Sequence, residues 1–299
     1  MRVVIIGGKG MIGQALANEL ARHEHQVTIL TRSPVKNQSA GKAFLQWDGQ
    51  DDKKLALLLN GQEAVVNLAG ESIGKKRWTK KQKSLILSSR VEPGNALVKA
   101  LASLKSGPRI LLQASAVGFY GPGEEECDET SASGKDWLAS ICQQWEGVLA
   151  ILDPKIIRLI KMRSGIVLSR AGGVLAQMAL PVRFFAGGPI GNGRQWISWI
   201  HIQDEIRAMR FLLEHNECEG VYNLSAPNPI RNFEMEKSIA RALQRPYWLP
   251  IPAFALKVAL GEMSTLVLEG QRVLPVKLLQ AGFNFEYDNI EVALKELYQ

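Results

Sequence analysis

MRVVIIGGKGMIG, residues 1–13, decides the fold. Arg2 to Ile6 carries a run of β-branched, apolar side chains, which reads as a strand buried on both faces of a parallel sheet. Gly7, Gly10 and Gly13 follow at once, and Ile12, Ala15, Leu16 and Leu20 then recur at helical spacing. A glycine loop between a strand and a helix provides a tight turn, close backbone approach to a pyrophosphate, and close packing of helix on sheet, with the phosphates at the helix N-terminus. A second strand at Gln26 to Leu30 completes a unit of about thirty residues, the context that a dinucleotide site requires.

Outward from that unit, the second strand ends in Thr31-Arg32-Ser33-Pro34, and no Asp or Glu occurs between Val27 and Lys42. An acidic residue there would take the ribose 2′-hydroxyl of NAD, whereas an arginine accommodates a 2′-phosphate. Arg32 therefore points to NADP. Strands are expected at Ala43 to Trp47, with Trp47-Asp48 flanking an adenine, and at Glu63 to Leu68, closing in the small-residue stretch Asn67-Leu68-Ala69-Gly70 that permits close approach of the cofactor. Thr79 with Gln82 reads as a capping box. The helix it opens carries Arg90 near the dinucleotide pocket and should break or kink at Pro93. Arg109 to Ala114 reads as a further buried strand, and the residues after its carboxyl end face the ligand crevice. Ser115 and Tyr120 are thereby candidates for polarising a substrate carbonyl or hydroxyl.

The motifs GGKGMIG (7–13), NLAGESI (67–73), SAVGFYG (115–121), RSGIVLS (163–169), GGPIGNGRQWISWIH (187–201) and GQRVLP (270–275) run from end to end. Through them the sequence resembles the extended or atypical short-chain dehydrogenase/reductase superfamily. Within it, the resemblance is to the epimerase family related to sugar-nucleotide epimerases, whose members carry a C-terminal domain of unknown function. It implies an α/β, Rossmann-type doubly wound parallel sheet, with an NADP-binding core over 1–169 completed by about 201–225. A smaller C-terminal substrate lobe would comprise 170–200 and 226–299. It also implies NADP(H) contacts from Gly7, Gly10, Met11, Ile12, Gly13, Thr31, Arg32, Leu68, Ala69 and Arg90. Active members carry a Tyr-x-x-x-Lys pair on the helix after the serine strand, the lysine lowering the tyrosine's pKa for proton transfer. Here the matching positions are Leu138 and Cys142, and Trp137 to Glu146 contains neither Tyr nor Lys.

Beyond that helix, Lys155 to Lys161 is expected as a strand, and Arg194, Gln195, Trp196 and Trp199 suit a ring-shaped or nucleotide-like ligand. His201 and Asp204 are expected to order or cap a helix start. The 299 residues, 46% hydrophobic and 22% charged, have ordinary globular composition. No apolar run is long enough to span a bilayer and the N-terminus enters a strand directly, so the expected compartment is cytoplasmic. Cys127, Cys142 and Cys218 suggest neither a disulfide framework nor a metal site. The net charge of +7 is concentrated at Lys75, Lys76, Arg77, Lys80, Lys81 and Lys83, a solvated face for most of them, and no nucleic-acid or membrane partner is expected. Two function classes follow. One is an NADP-dependent oxidoreductase or epimerase acting on a small polar or nucleotide-sugar-like substrate. The other is a catalytically silent NADP(H)-binding protein that signals to a protein partner.

Overall fold

The computed structural model describes residues 1–33 and 42–299. Residues 34–41, including Pro34 and part of the acid-free stretch after the second strand, lie outside the described residues. In chain order the first half comprises β1 (Arg2–Ile6), α1 (Met11–Arg22), β2 (Gln26–Thr31), β3 (Lys42–Gln46), α2 (Asp52–Leu59), β4 (Ala64–Asn67), α3 (Lys80–Ser103), β5 (Ile110–Ala116), β6 (Glu126–Cys127) and α4 (Trp137–Gly147). The second half adds β7 (Arg158–Ser164), β8 (Ile166–Leu168), α5 (Val174–Arg183), β9 (Trp196–Ile197), β10 (Trp199–His201), α6 (Ile202–Glu214) and β11 (Gly220–Leu224). After these come β12 (Ile230–Arg231), α7 (Asn232–Ala242), α8 (Ala253–Leu260), α9 (Thr265–Leu268), β13 (Arg272–Val273), α10 (Val276–Gln280) and α11 (Ile290–Tyr298).

Seven strands form one parallel sheet in the order β11-β7-β5-β4-β1-β2-β3. The order reverses between β1 and β4, and the carboxyl ends on either side of a reversal form the crevice in which such sheets bind ligands. The apolar run of β1 is fully covered: Val3, Val4 and Ile5 are each 0% exposed. Val3 and Ile5 pack with Leu16 and Leu20 of α1 on one face, and Val4 and Ile6 with Leu55, Leu59 and Leu97 on the other.

A second core joins Leu168, Leu175, Val182, Trp199, Met235, Ile239 and Leu294, and so holds α5, α7 and α11 together. Leu278 and Phe283, by contrast, pack into the core of the large sheet. The C-terminal stretch thus serves both cores.

Three expectations need correction. Helix α3 is unbroken across Pro93. A proline forfeits one backbone hydrogen bond, but Ile86, Pro93, Ala96, Leu97 and Ala100 form a buried face that holds the helix in one piece. Trp47 flanks no adenine: it is 2% exposed among Leu30, Leu55 and Leu59, and its indole N–H donates to the Asp51 carbonyl at 2.9 Å. The strand expected at Lys155 to Lys161 begins three residues later, because the Asp153 carboxylate accepts from Lys155 N and its carbonyl from Ile156 N and Ile157 N, making a turn there.

At Gly13 a Cβ would lie 2.6 Å from the Gly8 Cα and 2.8 Å from the Gly7 carbonyl oxygen. Both neighbours are backbone and cannot yield without moving the loop. Gly13→Ala should therefore lower stability by about 1–3 kcal/mol, whereas Gly74→Ala, with nothing within 4 Å of the added atom, should be near neutral. Urea denaturation of the two variants measures the difference.

Candidate cofactor and ligand site

The glycine loop has the shape of an anion cradle. Gly7 sits at φ +79°, and a Cβ there would meet the Leu68 carbonyl oxygen at 2.7 Å, so the loop lies directly on Leu68 and Ala69 at the end of β4. Gly10 caps α1 through backbone alone, with no side-chain hydrogen bond and no acidic residue in the first turn. The first N–H groups of a helix have no intrahelical acceptor, and Met11, the first residue of α1, lines the adjoining cavity. Arg32 is exposed at the end of β2, and Thr31 Oγ1 bonds locally to Ser33. Arg90 closes the other side: its guanidinium donates to the Glu71 and Ile86 carbonyls, each at 2.9 Å, and lies 4.9 Å from the centre of the Trp145 ring.

From Met11 and Arg90 a cavity of about 590 Å³ extends across the carboxyl ends of β5 and β7. Its walls are mostly apolar and aromatic. Trp78 and Trp137 meet at 4.4 Å between ring centres, and Trp145 and Trp196 line other sides. Trp199, paired with Trp196 in the sequence reading, is instead wholly buried in the second core. Gln195 is buried and donates to the Val267 and Ile190 carbonyls, while Arg194 is exposed. Lys83 does not belong to a solvated face: it lines the cavity, stands 4.8 Å from the centre of the Trp137 ring and pairs with Glu262. The last wall, which the sequence reading missed, comes from Glu262, Leu266, Glu269 and Gly270 near the C-terminus. A Cβ on Gly270 would overlap the Trp196 carbonyl oxygen at 1.9 Å, and Ser198 Oγ donates to the Gln271 carbonyl at 2.7 Å, so that wall is fastened to the lobe.

The register of β5 against β7 determines which side chains face the cavity. Ser115 lies opposite Arg163, and Ala116 opposite Ser164. Successive strand residues point to opposite faces. Ala116 and Ser164 line the cavity, together with Leu138 and Cys142 of α4. Ser115 turns the other way and donates to Glu146 Oε1 at 2.7 Å. Glu146 also takes both halves of the Arg163 fork, at 2.9 and 3.0 Å. Arg163 donates in addition to the Tyr120 oxygen at 3.0 Å, and Tyr120 donates to Asn223 Oδ1 at 2.7 Å. Neither Ser115 nor Tyr120 is among the residues that line the cavity. Burial pushes the Tyr120 phenol up to about 12 and the Cys142 thiol up to about 11, so both keep their protons at neutral pH. The two residues proposed from sequence to polarise a substrate are brought together, but as members of a buried network behind the site.

His201 orders its helix as expected: its Nδ1 accepts from Gln203 N at 3.2 Å and its Nε2 faces Glu296 at 3.0 Å. Asp204 is buried and accepts from the backbone N–H groups of Glu286 and Tyr287 while pairing with Arg207. Among the described residues no group of three or more His, Cys, Asp or Glu could hold a metal ion, and no helix is long and apolar enough to cross a membrane.

Residues 3–139 match the NAD dependent epimerase/dehydratase family, and 251–297 match a domain of unknown function, DUF1731. Over 302 residues the chain is 38% identical to the epimerase family protein YfhF of Bacillus subtilis, an alignment covering 99% of this chain and 98% of that protein. The chain belongs to the epimerase family. Another epimerase family protein, the chloroplastic SDR39U1 homolog of Arabidopsis thaliana, is 40% identical across 100% of this chain and 87% of its own length. The human epimerase family protein SDR39U1, solved with NADPH, superposes with a TM-score of 0.90 at 34% identity, covering 100% of this chain and 99% of that one. The UDP-glucose 4-epimerase of Thermus thermophilus, at 18% identity and a TM-score of 0.79, shares the fold.

Two predictions arise from the buried charges. Removing one partner of a buried ion pair strands the other, at about 3–5 kcal/mol; Glu146→Gln should lower stability in that range, read by urea denaturation. Glu205 and Glu236 are buried carboxyls whose pKa is pushed from 4.5 up to about 8 by loss of solvent. Between those values the folded protein keeps protons that the unfolded chain releases. Stability should therefore fall as pH rises from about 4.5 to about 8, by at most about 1.4 kcal/mol per pH unit for each group. Glu205→Gln and Glu236→Gln should each remove one share of that slope in denaturation at a series of pH values.

Proposed function

We propose that this epimerase-family protein is an NADP(H)-dependent oxidoreductase whose substrate is a flat, largely apolar carbonyl compound or the corresponding alcohol. The observation that carries this reading is the continuity of one cavity from Met11 and Arg90, beside the glycine loop, to the tryptophan-lined chamber over β5 and β7. The residues present fit the dinucleotide. Gly7 and Gly13 let the loop pack backbone against backbone on Leu68 and Gly8, the α1 N-terminus offers N–H donors to the pyrophosphate, and Leu68, Ala69 and Arg90 border its path. Arg32, in a stretch of sequence with no Asp or Glu from Val27 to Lys42, suits a 2′-phosphate. When bound, NADP(H) supplies or accepts the hydride.

The protein's own groups orient the ligand and exclude water. Offset and edge contacts among aromatic rings favour a planar guest over a hydrated sugar diphosphate. That shifts the substrate class away from the polar, nucleotide-sugar-like compound suggested by the sequence. Leu266 and Gly270 of the tail supply a further wall of the chamber. Tyr120 and Ser115 act from behind, holding β5 in the register that presents Ala116.

A second reading is favoured by one observation: the positions matching the proton-transfer pair are Leu138 and Cys142, beside Ala116. A protein so lined could bind NADP(H) without turnover and report the bound state to a partner.

Thermal unfolding with NADP, NADPH, NAD and NADH tests the cofactor half. NADP(H) at a hundred times its dissociation constant should stabilise by about 2.7 kcal/mol, and Arg32→Ala should erase the preference over NAD(H). Loss of NADPH absorbance in the presence of planar carbonyls then distinguishes the oxidoreductase from the silent binder, and stabilisation by no dinucleotide would defeat both.

A further inference from the structure

The proposed chemistry needs a proton source, and the positions matching the expected tyrosine and lysine supply none. One polar group nevertheless enters the chamber from the sheet. Ser164, the last residue of β7, lines the cavity directly across the ladder from Ala116. Neighbouring strands lie about 4.8 Å apart, so its hydroxyl stands one strand from the position that Ala116 leaves apolar. Ser164 Oγ is 2.6 Å from Glu205 Oε1. Glu205, in the first turn of α6, is 0% exposed, and its other oxygen, Oε2, has no hydrogen-bond partner.

A buried carboxylate with one hydrogen bond and no counter-ion is costly, whereas the neutral acid is tolerated. Among the described residues no charged side chain pairs with Glu205: Arg22 of α1 is exposed, and Arg158 of β7 donates to the Leu212, His215, Cys218 and Leu213 carbonyls. On α1, Glu19 pairs with Arg210; on β7, Arg163 turns to Glu146; on β10, His201 faces Glu296. Within α6 and the tail, Asp204 and Glu286 both pair with Arg207. β5 and β8 contribute no ionisable side chain toward it. Burial accordingly keeps the carboxyl protonated to about pH 8, with the Ser164 bond as the opposing influence.

We propose that Ser164 and Glu205 form a proton relay into the cavity, with Ser164 touching the bound ligand and Glu205 acting through it as a positioning residue and proton store. This rests on the oxidoreductase reading above. A hydroxyl beside a neutral carboxyl can donate to its carbonyl oxygen or accept its proton, so the bond can reverse when a ligand arrives. In the reduction of a bound carbonyl, the carbon takes a hydride, which the reduced dinucleotide supplies. The C=O π pair becomes the new O–H bond by taking the Ser164 hydroxyl proton. The Ser164 oxygen takes the Glu205 proton, and the carboxylate regains one from solvent through the cavity. The dinucleotide is oxidised, the carbonyl becomes an alcohol, and one proton is consumed.

The test uses the full-length protein with NADPH and 9,10-phenanthrenequinone as the probe, over a range of pH, in wild type, Glu205→Gln, Ser164→Ala, Ser164→Thr and Glu236→Gln. General acid catalysis contributes about 10²–10⁴ in rate. Wild-type kcat should fall above about pH 8, where Glu205 loses its proton. Glu205→Gln should lose at least about 100-fold in kcat with KM little changed, and its profile should be flat there. Ser164→Ala should lose a similar factor and Ser164→Thr should restore most of it, while Glu236→Gln, which is not among the residues that line the cavity, should behave as wild type.

Stability without cofactor gives an independent readout. Glu205→Gln should lose its share of the pH slope, and Ser164→Ala should move that share to higher pH, because the hydroxyl holds the carboxyl pKa down. Glu205→Gln turning over at the wild-type rate, or keeping the alkaline fall, would overturn the relay. So would a wild type that is stabilised by NADPH yet reduces no probe. Absence of NADPH stabilisation in the wild type would instead defeat the cofactor reading on which the relay stands.

Discussion

The buried pair of Glu146 and Arg163 is the constraint on which the rest of the site depends. Both side chains are almost wholly out of water, at 6% and 5% exposure, so each charge has to be met inside the protein. The fork of Arg163 occupies both oxygens of Glu146, Ser115 adds a hydroxyl, and the Phe119 ring lies 3.3 Å from the guanidinium carbon. Such a pair tolerates little displacement of either element. It fixes α4 against β5 and β7, and through the pleat it fixes what those strands show on the other side. Because Ser115 and Arg163 face Glu146, Ala116 and Ser164 take the opposite face of their strands, where Ser164 meets Glu205. The network continues through Tyr120 and Asn223 to the Leu274 carbonyl, so the C-terminal stretch is held by the same charges.

Much of the fold was legible because local and global requirements coincide. Val3 to Ile6 has no polar residue to turn outward, so it can only be an inner strand, and the glycines after it fit both the turn and the helix packing. Thr79 announced α3 by its own chemistry, its hydroxyl accepting from Gln82 N at 3.1 Å. Two of the three misplacements share a cause: tertiary packing overrode a local rule. Pro93 lies on a face buried well enough to absorb one missing hydrogen bond, and the lone Trp47 filled a hydrophobic gap beside α2 instead of standing at a ligand.

The site was legible in its cofactor half and obscured in its reacting half. Glycine spacing survives in one dimension, because each glycine is needed for a contact within a few residues or with the adjoining strand. Strand facing does not survive so well: Ser115 and Ala116 are adjacent in sequence, and a shift of one residue exchanges cavity for interior. Glu205 gives no sequence signal, since an acid in the first turn of a helix ordinarily faces solvent as a favourable charge near the N-terminus. Only its position beneath β7 makes it unusual. The wall from Glu262 to Gly270 was equally invisible, because its partners, Lys83 and Trp196, are distant in sequence.

The fastening of Gly270 and Gln271 to Trp196 and Ser198 bears on how the protein comes into being. Chains are made from the N-terminus, and domains fold as their residues emerge. The glycine loop and the first six strands of the large sheet are complete by Ser164, but the chamber lacks a wall until residues 262–271 have been synthesised. A nascent chain therefore acquires a place for a dinucleotide well before it has a closed chamber beside it. The chamber gains this wall only once residues 262–271 have been made, and that segment acts as the last stave of a barrel.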